Sequence, residues 1–264
     1  MSRILITGAS DGLGRALAED LAATGGHELL LHGRDAGRLA AVATATGGTP
    51  FQADFASLAD VRRLATEVAD KYDRLDVLVN NAGIGFHVDG TTRVLSRDGY
   101  ESRLAVNYLA PVLLTRHLLP LLHQAPAARI VNVASVGQAP VDFDDPQFAR
   151  DYSEVAAYCR SKLALIAHTI DLAADLAGTG VTANSLHPAS YMPTTMSKAS
   201  GMDQVDTLEK GVAATRRLVD GADLAGVTGR YFDSGTEARA AAEIYDPAYR
   251  ARLRGLTRDL LAAF

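Results

Sequence analysis

The sequence predicts an α/β fold, a single-domain doubly wound parallel sheet with helices on both faces. Three observations predict it. Short runs of continuous apolar residues recur between longer, helix-patterned stretches. Continuous rather than alternating apolarity marks strands buried on both faces, as in parallel sheets. Three of these helical stretches then stop at glycine, which is how helices commonly end before the next strand. Finally, 264 residues at 48% hydrophobic are enough for one sizeable core. No Pro/Gly/Ser-rich linker or shift of composition divides the chain, so one domain over 1–264 is expected.

The elements follow in order. Arg3 to Thr7 reads as a strand, with Ile4, Leu5 and Ile6 continuous. Leu13 to Thr24 reads as a helix stopped by Gly25-Gly26, and Glu28 to His32 as a second strand. Ala36 to Thr46 is a helix ended by Gly47-Gly48, and Thr49 to Ala53 a third strand. Ser57 to Tyr72 is a helix in which Ser57 and Asp60 resemble a capping box with Asp in place of Glu. Val77 to Asn80 is a strand, followed by a loop and one long helix from Asp98 to His123 that Pro111 is placed to kink. Arg129 to Ala134 and Val181 to Leu186 are the fifth and sixth strands, with a helix from Ser153 to Leu176 between them. The tail holds helices near Val205 to Val219 and Pro247 to Ala262, with a short strand at Arg230 to Phe232. Strands alternating with helices imply right-handed parallel crossovers, and ligands of such sheets bind at the carboxyl ends of the strands.

Composition excludes several functions. The net charge is -5, and no basic stripe interleaves with aromatics, so no nucleic-acid partner is expected. With one cysteine, Cys159, no disulfide can form within the chain, which fits a reducing compartment. The N-terminus runs straight into Ile4-Leu5-Ile6, and the reading finds no signal peptide and no run approaching a membrane span. A soluble, cytoplasmic chain with no membrane partner is the expectation. The seven histidines show no metal-ligand spacing, so no metal is expected.

The turn after the first strand carries Gly8, Ser10, Asp11, Gly12, Leu13 and Gly14, glycines spaced G-x-x-x-G-x-G between a strand and a helix. Such a turn lets backbone N–H groups approach a pyrophosphate at a helix N-terminus. In a first strand–helix unit it points to a Rossmann-like dinucleotide site; glycine-rich turns made only for packing are the bland reading. An acid at the end of the second strand would mark NAD, and a base there NADP. Here the strand ends His32-Gly33-Arg34-Asp35. Arg34, with Arg15 adding positive charge nearby, favours NADP; Asp35 keeps an NAD reading open. Arg38 is more simply a solvated helix residue.

At this point the sequence resembles the short-chain dehydrogenase/reductase family, and the resemblance covers nearly the whole chain. The glycine turn is followed in order by Asp54, Asn80-Asn81-Ala82-Gly83, Asn107, Ser135 and Tyr158-Cys159-Arg160-Ser161-Lys162. Asp98-Gly99-Tyr100-Glu101, Val106-Asn107-Tyr108-Leu109, Phe143-Asp144-Asp145 and Thr228-Gly229-Arg230-Tyr231-Phe232 resemble its retinol-dehydrogenase-like branch. That branch contains many NADP(H)-dependent carbonyl reductases. The resemblance implies an oxidoreductase that moves a hydride between NADP(H) and an apolar carbonyl or alcohol, and two long helices that could pair as a homodimer.

It also implies roles. Tyr158 and Lys162, four apart on a helix, share a face. Tyr158 exchanges the proton, and the ammonium of Lys162 is expected to lower its pKa. Lys162 also bonds the nicotinamide ribose, Ser135 bonds the carbonyl oxygen, and Asn107 holds a water linking Lys162 to solvent. Asp54 and Phe55 flank the adenine, and Asn81, Ala82 and Gly83 touch the adenosine ribose. After strand six the family has Pro-Gly where this chain has Pro188-Ala189, and alanine disfavours a positive φ. The loop is expected to turn differently there, with Tyr191 offering its backbone to the carboxamide and Thr194 bonding a phosphate or amide. Met192, Met196 and Met202 either line an adaptable apolar pocket or pack a lid against the body. The Gln138 to Val155 insert, with Phe143 and Phe148, is a further candidate wall. Cys159 reads as a packing residue and His187 as structural. Two other readings stand beside this one: a non-catalytic NADP(H) sensor or scaffold, and an epimerase or dehydratase of the same fold. The short C-terminal tail disfavours the second.

Overall fold

The computed structural model describes residues 1–87 and 89–264. The chain runs β1 (Ser2–Ile6), α1 (Gly12–Thr24), β2 (His27–Gly33), α2 (Ala36–Thr46), β3 (Thr49–Gln52), α3 (Leu58–Lys71), β4 (Val77–Asn80), α4 (Ser102–Leu104), α5 (Ala110–Leu122), β5 (Arg129–Val133), α6 (Glu154–Asp175), β6 (Thr182–His187), α7 (Thr195–Ser200), α8 (Leu208–Asp220), β7 (Tyr231–Asp233), β8 (Thr236–Ala238) and α9 (Pro247–Leu260). The strands form one sheet in the order β3-β2-β1-β4-β5-β6-β7-β8. Every pairing is parallel except β7 with β8. The order reverses between β1 and β4, and the crevice at such a switch point is where this architecture binds ligands.

Strand β1 shows why its apolar run is unbroken. Ile4 and Ile6 belong to the cluster shared with α1, α2 and α8, whereas Leu5 belongs to the cluster on the opposite face with α3, α5 and α6. All three side chains are fully buried, each stabilising the fold by about 2 kcal/mol. A polar residue at any of the three would lie under a helix.

Four local readings change. Ser57 does cap α3, its Oγ accepting from Asp60 N–H at 3.2 Å. The reciprocal half of the box is absent, because the Asp60 carboxylate accepts from Asp54 N–H at 3.1 Å instead. The long helix expected from Asp98 begins later: Asp98 accepts from Leu58 N–H at 2.8 Å and so finishes the start of α3. The helix proper starts at Ser102 and passes through a π-helical turn over Ala105–Leu109 before α5. Pro111 follows directly on that π-turn inside the continuous helix, so its missing N–H denies the Asn107 carbonyl an α-helical partner. Third, β8 is an unforeseen antiparallel strand, joined to β7 through Ser234 and Gly235, both at positive φ (48° and 90°). That two-residue hairpin turn is one a Ser-Gly pair serves well. Fourth, α7 is a short helix in the lid segment after β6, where the sequence pattern marks none.

By sequence, no run approaching a membrane span is expected. Ser102–Leu122, at 21 residues, does have the length and apolarity of one, and 78% of its most apolar window is buried inside the fold. Here it packs against α3 and α6 beneath the sheet.

Two buried histidines set an acid limit on the fold. Burial holds both His32 and His168 down to about 4, so both rings are neutral at neutral pH. In the unfolded chain each would protonate near its ordinary value of about 6.5. The unfolded state therefore gains protons first. Stability is full above about pH 6.5 and falls as the pH drops toward about 4, by up to about 3 kcal/mol for each ring. Urea unfolding at about pH 7 and about pH 4.5 checks this. The expected result is a midpoint lower in acid by on the order of 1–2 M, and equal midpoints would refute it.

Candidate active site

The glycine turn leaves β1 with Gly8 at φ +68° and Gly12 at φ +52°, a region that side-chain-bearing residues avoid. Asp11 caps α1, accepting from Gly12 N–H at 2.7 Å. Thr7 and Asn81 lock the turn to the end of β4. Thr7 Oγ1 accepts from the N–H groups of Asn81 and Ala82, both at 2.9 Å. Asn81 Nδ2 donates to the Thr7 carbonyl at 2.8 Å and to that of Gly8 at 3.3 Å. Asn81, expected at the adenosine ribose, thus spends its side-chain amide on holding the turn, and Ala82 lies against Gly8. Leu13 is buried, so only its backbone can serve the turn. Arg15 points along its own helix to Glu19, at 2.8 Å.

His32 joins the site although no sequence signal marks it. Its Nδ1 accepts from Gly8 N–H at 3.2 Å, and its Nε2 lies 3.1 Å from the Ala53 carbonyl. A neutral ring with the proton on Nε2 satisfies both partners, in keeping with its depressed pKa. The ring stacks on Phe55 at 4.2 Å. His32 therefore couples the glycine turn to the end of β3, where Asp54 and Phe55 stand. Phe55 is buried, and Asp54 accepts from Ala56 N–H at 3.0 Å and pairs with Arg97 at 3.3 Å. A lone histidine in an apolar strand looks like any core residue, so no sequence signal marked it.

At the end of β2, a Cβ on Gly33 would come within 2.9 Å of both Cβ and Oγ of Ser10. An acidic side chain has no room there. Arg34 is exposed, and no ion pair involves its guanidinium among the described residues. Asp35 is already engaged: it caps α2 by accepting from Arg38 N–H at 2.8 Å and lies 3.8 Å from the Arg38 guanidinium. Arg38 also reaches Asp11 at 3.5 Å, so it borders the glycine turn rather than standing only in solvent.

The four residues expected to act on the substrate converge. Ser135 follows β5, its Oγ accepting from Gly137 N–H at 3.0 Å. Tyr158 and Lys162 lie one turn apart on α6, with Lys162 Nζ 5.7 Å from the Tyr158 ring centroid and donating to the Val133 carbonyl at 2.9 Å. Gly83 sits between the two remaining groups: a Cβ there would be 3.1 Å from Asn107 Oδ1 and 3.5 Å from Lys162 Nζ. The Asn107 side chain is fully committed, accepting from Ile84 N–H at 2.8 Å and donating to the Ile84 carbonyl at 3.0 Å and to Ser161 Oγ at 3.1 Å. It braces the site. Its backbone carbonyl has no α-helical partner four residues on, since Pro111 has no N–H. The π-turn around Asn107 is the kind of helix irregularity that recurs at functional sites.

Electrostatics correct one expectation. The Tyr158 phenol is pushed up to about 12 by burial, with the Ser135 side chain pulling the other way. Lys162 is drawn down to about 8, also by burial. Desolvation outweighs the ammonium, so the phenol of this chain is a proton holder at neutral pH.

After β6, Ala189 keeps an ordinary φ and the left-handed turn falls on Tyr191, at φ +43°. The loop does turn differently from Pro-Gly, two residues further on, and Pro188 precedes it. Val205 and Asp206 hold it in place, donating to the Tyr191 and Ser190 carbonyls at 3.3 and 3.0 Å. His187 Nε2 lies 3.0 Å from Ser190 Oγ, a structural contact. Thr194 caps α7 and packs its methyl group against Gly12, which places it at the glycine turn. The methionines divide: Met192 packs against Gly211 in the body, whereas Met196 and Met202 are exposed. The insert rings pack elsewhere, Phe143 on Tyr249 of α9 and Phe148 on Tyr152. Cys159 is half-buried beside Gly137, and burial raises its thiol pKa, as suits a packing residue.

A family model described as short chain dehydrogenase matches residues 2–205. The chain belongs to that family. Within this short-chain dehydrogenase family it falls in the retinol-dehydrogenase-like branch. Human retinol dehydrogenase 13 is 32% identical over 95% of this chain and 81% of its own length. Mouse retinol dehydrogenase 14 is 39% identical over 70% of this chain and 60% of its own. A Streptomyces lividans protein named "Probable oxidoreductase" is 34% identical over 99% of this chain and 98% of its own. Among solved structures, the RhlG–NADP complex of Pseudomonas aeruginosa superposes with a TM-score of 0.73 at 28% identity, over 88% of this chain and 94% of that one. The 3-ketoacyl-(acyl-carrier-protein) reductase of Brucella melitensis, complexed with NADH, gives 0.72 at 26%, over 88% and 96%. The chain is thus a hydride-transferring oxidoreductase that uses a nicotinamide cofactor and a small-molecule substrate.

Proposed function

We propose that this short-chain dehydrogenase is an NADP(H)-dependent reductase of apolar carbonyl compounds, with Tyr158 as the proton donor. The observation that carries the reading is that Ser135, Tyr158 and Lys162 meet at the strand ends beside the glycine turn. The turn suits the cofactor, because Gly8, Gly12 and Gly14 let it pack against Ala82, Thr194 and its own Gly8 carbonyl, where a Cβ would collide, and so hold its backbone at the N-terminus of α1. When bound, the nicotinamide supplies the hydride. Ser135 Oγ orients the carbonyl oxygen and stabilises its developing charge. Tyr158 gives its proton to that oxygen, and Lys162 holds positive charge behind the phenol as the proton leaves.

Two features support the finer choices. For NADP, Arg34 is free at the end of β2 while Asp35 is engaged and Gly33 admits no acid. For an apolar substrate, Met196, Met202, Val205 and Val136 are exposed apolar residues in the segments that follow β5 and β6. The retinol dehydrogenase relatives carry such a substrate in their names. A panel of aldehydes and ketones with NADPH, followed by nicotinamide absorbance, tests the reading. Oxidation of NADPH by an apolar member is expected, and none with any member favours a sensor or scaffold.

Arg34→Ala tests the cofactor choice. Loss of a charge-assisted contact to a phosphate costs about 1.5–3 kcal/mol, about 10- to 100-fold in affinity. NADPH is expected to weaken by that factor and NADH hardly at all. Equal weakening of both in fluorescence titrations would contradict the choice.

A further inference from the structure

At the foot of α6 lies a charged cluster that the chemistry above does not use. Glu101, Arg103 and Glu154 are buried, with 1%, 6% and 6% exposure. Arg103 Nε donates to the Gly85 carbonyl at 2.8 Å, one Nη to the Tyr152 hydroxyl at 2.7 Å and the other to Glu154 Oε2. Tyr152 donates in turn to Glu101 Oε1 at 2.9 Å. Glu154 Oε2 also accepts from His87 N–H at 3.0 Å and meets the His87 imidazole at 3.1 Å. The Glu154 N–H donates to the Gly90 carbonyl at 3.0 Å.

Burying charges is costly, and well-packed apolar residues serve stability as well or better. What the charges add here is geometry. They pin the segment after β4 to the first turn of the helix that carries Tyr158. The two pinned residues, Gly85 through its carbonyl and His87 through its N–H, flank Phe86. The Phe86 ring packs edge-on to Tyr158, with centroids 5.1 Å apart and planes at 62°. On its outer side Gly85 is covered by Met196 of the lid helix, which a Cβ at Gly85 would strike at 2.7 Å.

The geometry points to Arg103 and Glu154 as positioning residues that hold Phe86 against Tyr158 and thereby fix the wall that an apolar carbonyl substrate meets. Neither residue touches the reacting atoms; both act through the backbone on either side of Phe86. The inference rests on the reductase reading for its catalytic consequence.

Glu154→Gln tests it, since Gln keeps the volume and leaves Arg103 still facing Glu101. The expected result is a loss of about 10- to 100-fold in kcat/KM, the scale of an ångström-sized misplacement. Cofactor affinity should stay at the wild-type value. A merely structural role would not predict coupling to Phe86, so the cycle with Phe86→Ala decides. In the Phe86→Ala background, Glu154→Gln should change kcat/KM by less than about 2-fold. Additive losses, or an unchanged kcat/KM in the single variant, overturn the inference. Should Glu154→Gln not fold, Tyr152→Phe removes one oxygen from the same cluster, with the same expected direction and the same cycle. If the wild type turns over no carbonyl, the reductase reading fails separately, and hydrogen exchange at the His87 amide then decides the clamp. Faster exchange in Glu154→Gln than in wild type keeps it, and equal rates sink it.

Discussion

Tyr158→Phe is expected to lower turnover by at least about 10³-fold while the affinity for the reduced cofactor stays at its wild-type value. The change removes one oxygen and keeps the ring, so the edge-on contact with Phe86 survives. The fold has little to lose, because the hydroxyl's nearest side-chain partner is Ser135, whose own Oγ is still satisfied by Gly137 N–H. What disappears is the proton. With the phenol pushed up to about 12 by burial, Tyr158 carries its proton throughout the neutral range. A forming alkoxide has no equivalent donor beside it: the Ser135 hydroxyl is a far weaker acid, and Lys162 Nζ is turned to the Val133 carbonyl. Steady-state turnover with any accepted carbonyl, together with fluorescence titration of NADPH, separates the two effects. Turnover within about tenfold of wild type would remove Tyr158 from the proton-donating role.

The direction of that pKa was not legible in the sequence, and the reason is general. Spacing shows that Tyr158 and Lys162 share a helix face, but the balance between a neighbouring charge and desolvation depends on burial. Burial is set by residues far away in the chain. The parts that were legible are those written in local pattern: the unbroken Ile4-Leu5-Ile6 run, the glycine turn, and the order of strand-end residues. His32 and the Glu101–Arg103–Glu154 cluster were not, because their deciding contacts span 18 to 67 residues of chain. A histidine in a strand and an acid at a helix start carry no mark of such partners. The half-formed box at Ser57 shows the same limit at short range. The Ser57 half depends on its own helix, whereas Asp60 is diverted by Asp54, which the path of the chain out of β3 brings near. The β7–β8 hairpin is the opposite case. Its Ser234-Gly235 turn signal was present, and only the shortness of the flanking strands hid it.

Gly14→Ala is expected to abolish nucleotide binding and to destabilise the fold by several kcal/mol, although alanine is the better helix former. Gly14 lies in the first turn of α1 with an ordinary helical φ, so its requirement is one of space. A Cβ there would overlap the Gly8 carbonyl oxygen and Asn81 Nδ2 and come within 2.9 Å of the Gly8 carbonyl carbon. Those atoms cannot step aside singly. Asn81 Nδ2 is hydrogen-bonded to the carbonyls of Thr7 and Gly8, and Gly8 N–H is bonded to His32. Relief therefore means moving the end of β1, the end of β4 and the start of α1 together, which opens the turn that the cofactor phosphates need. Gly25→Ala is the control. That glycine has φ +72° and ψ −177°, a region that glycine alone populates readily, with open space around its Cβ position, so alanine there meets backbone strain of about 1–3 kcal/mol and no collision. Thermal unfolding and NADPH titration of both variants give the comparison. The expected pattern is a small loss of stability with intact binding for Gly25→Ala, and loss of both for Gly14→Ala. Wild-type NADPH affinity in Gly14→Ala would show that the phosphates do not rest on this turn, and the dinucleotide site would have to be sought elsewhere along the strand ends.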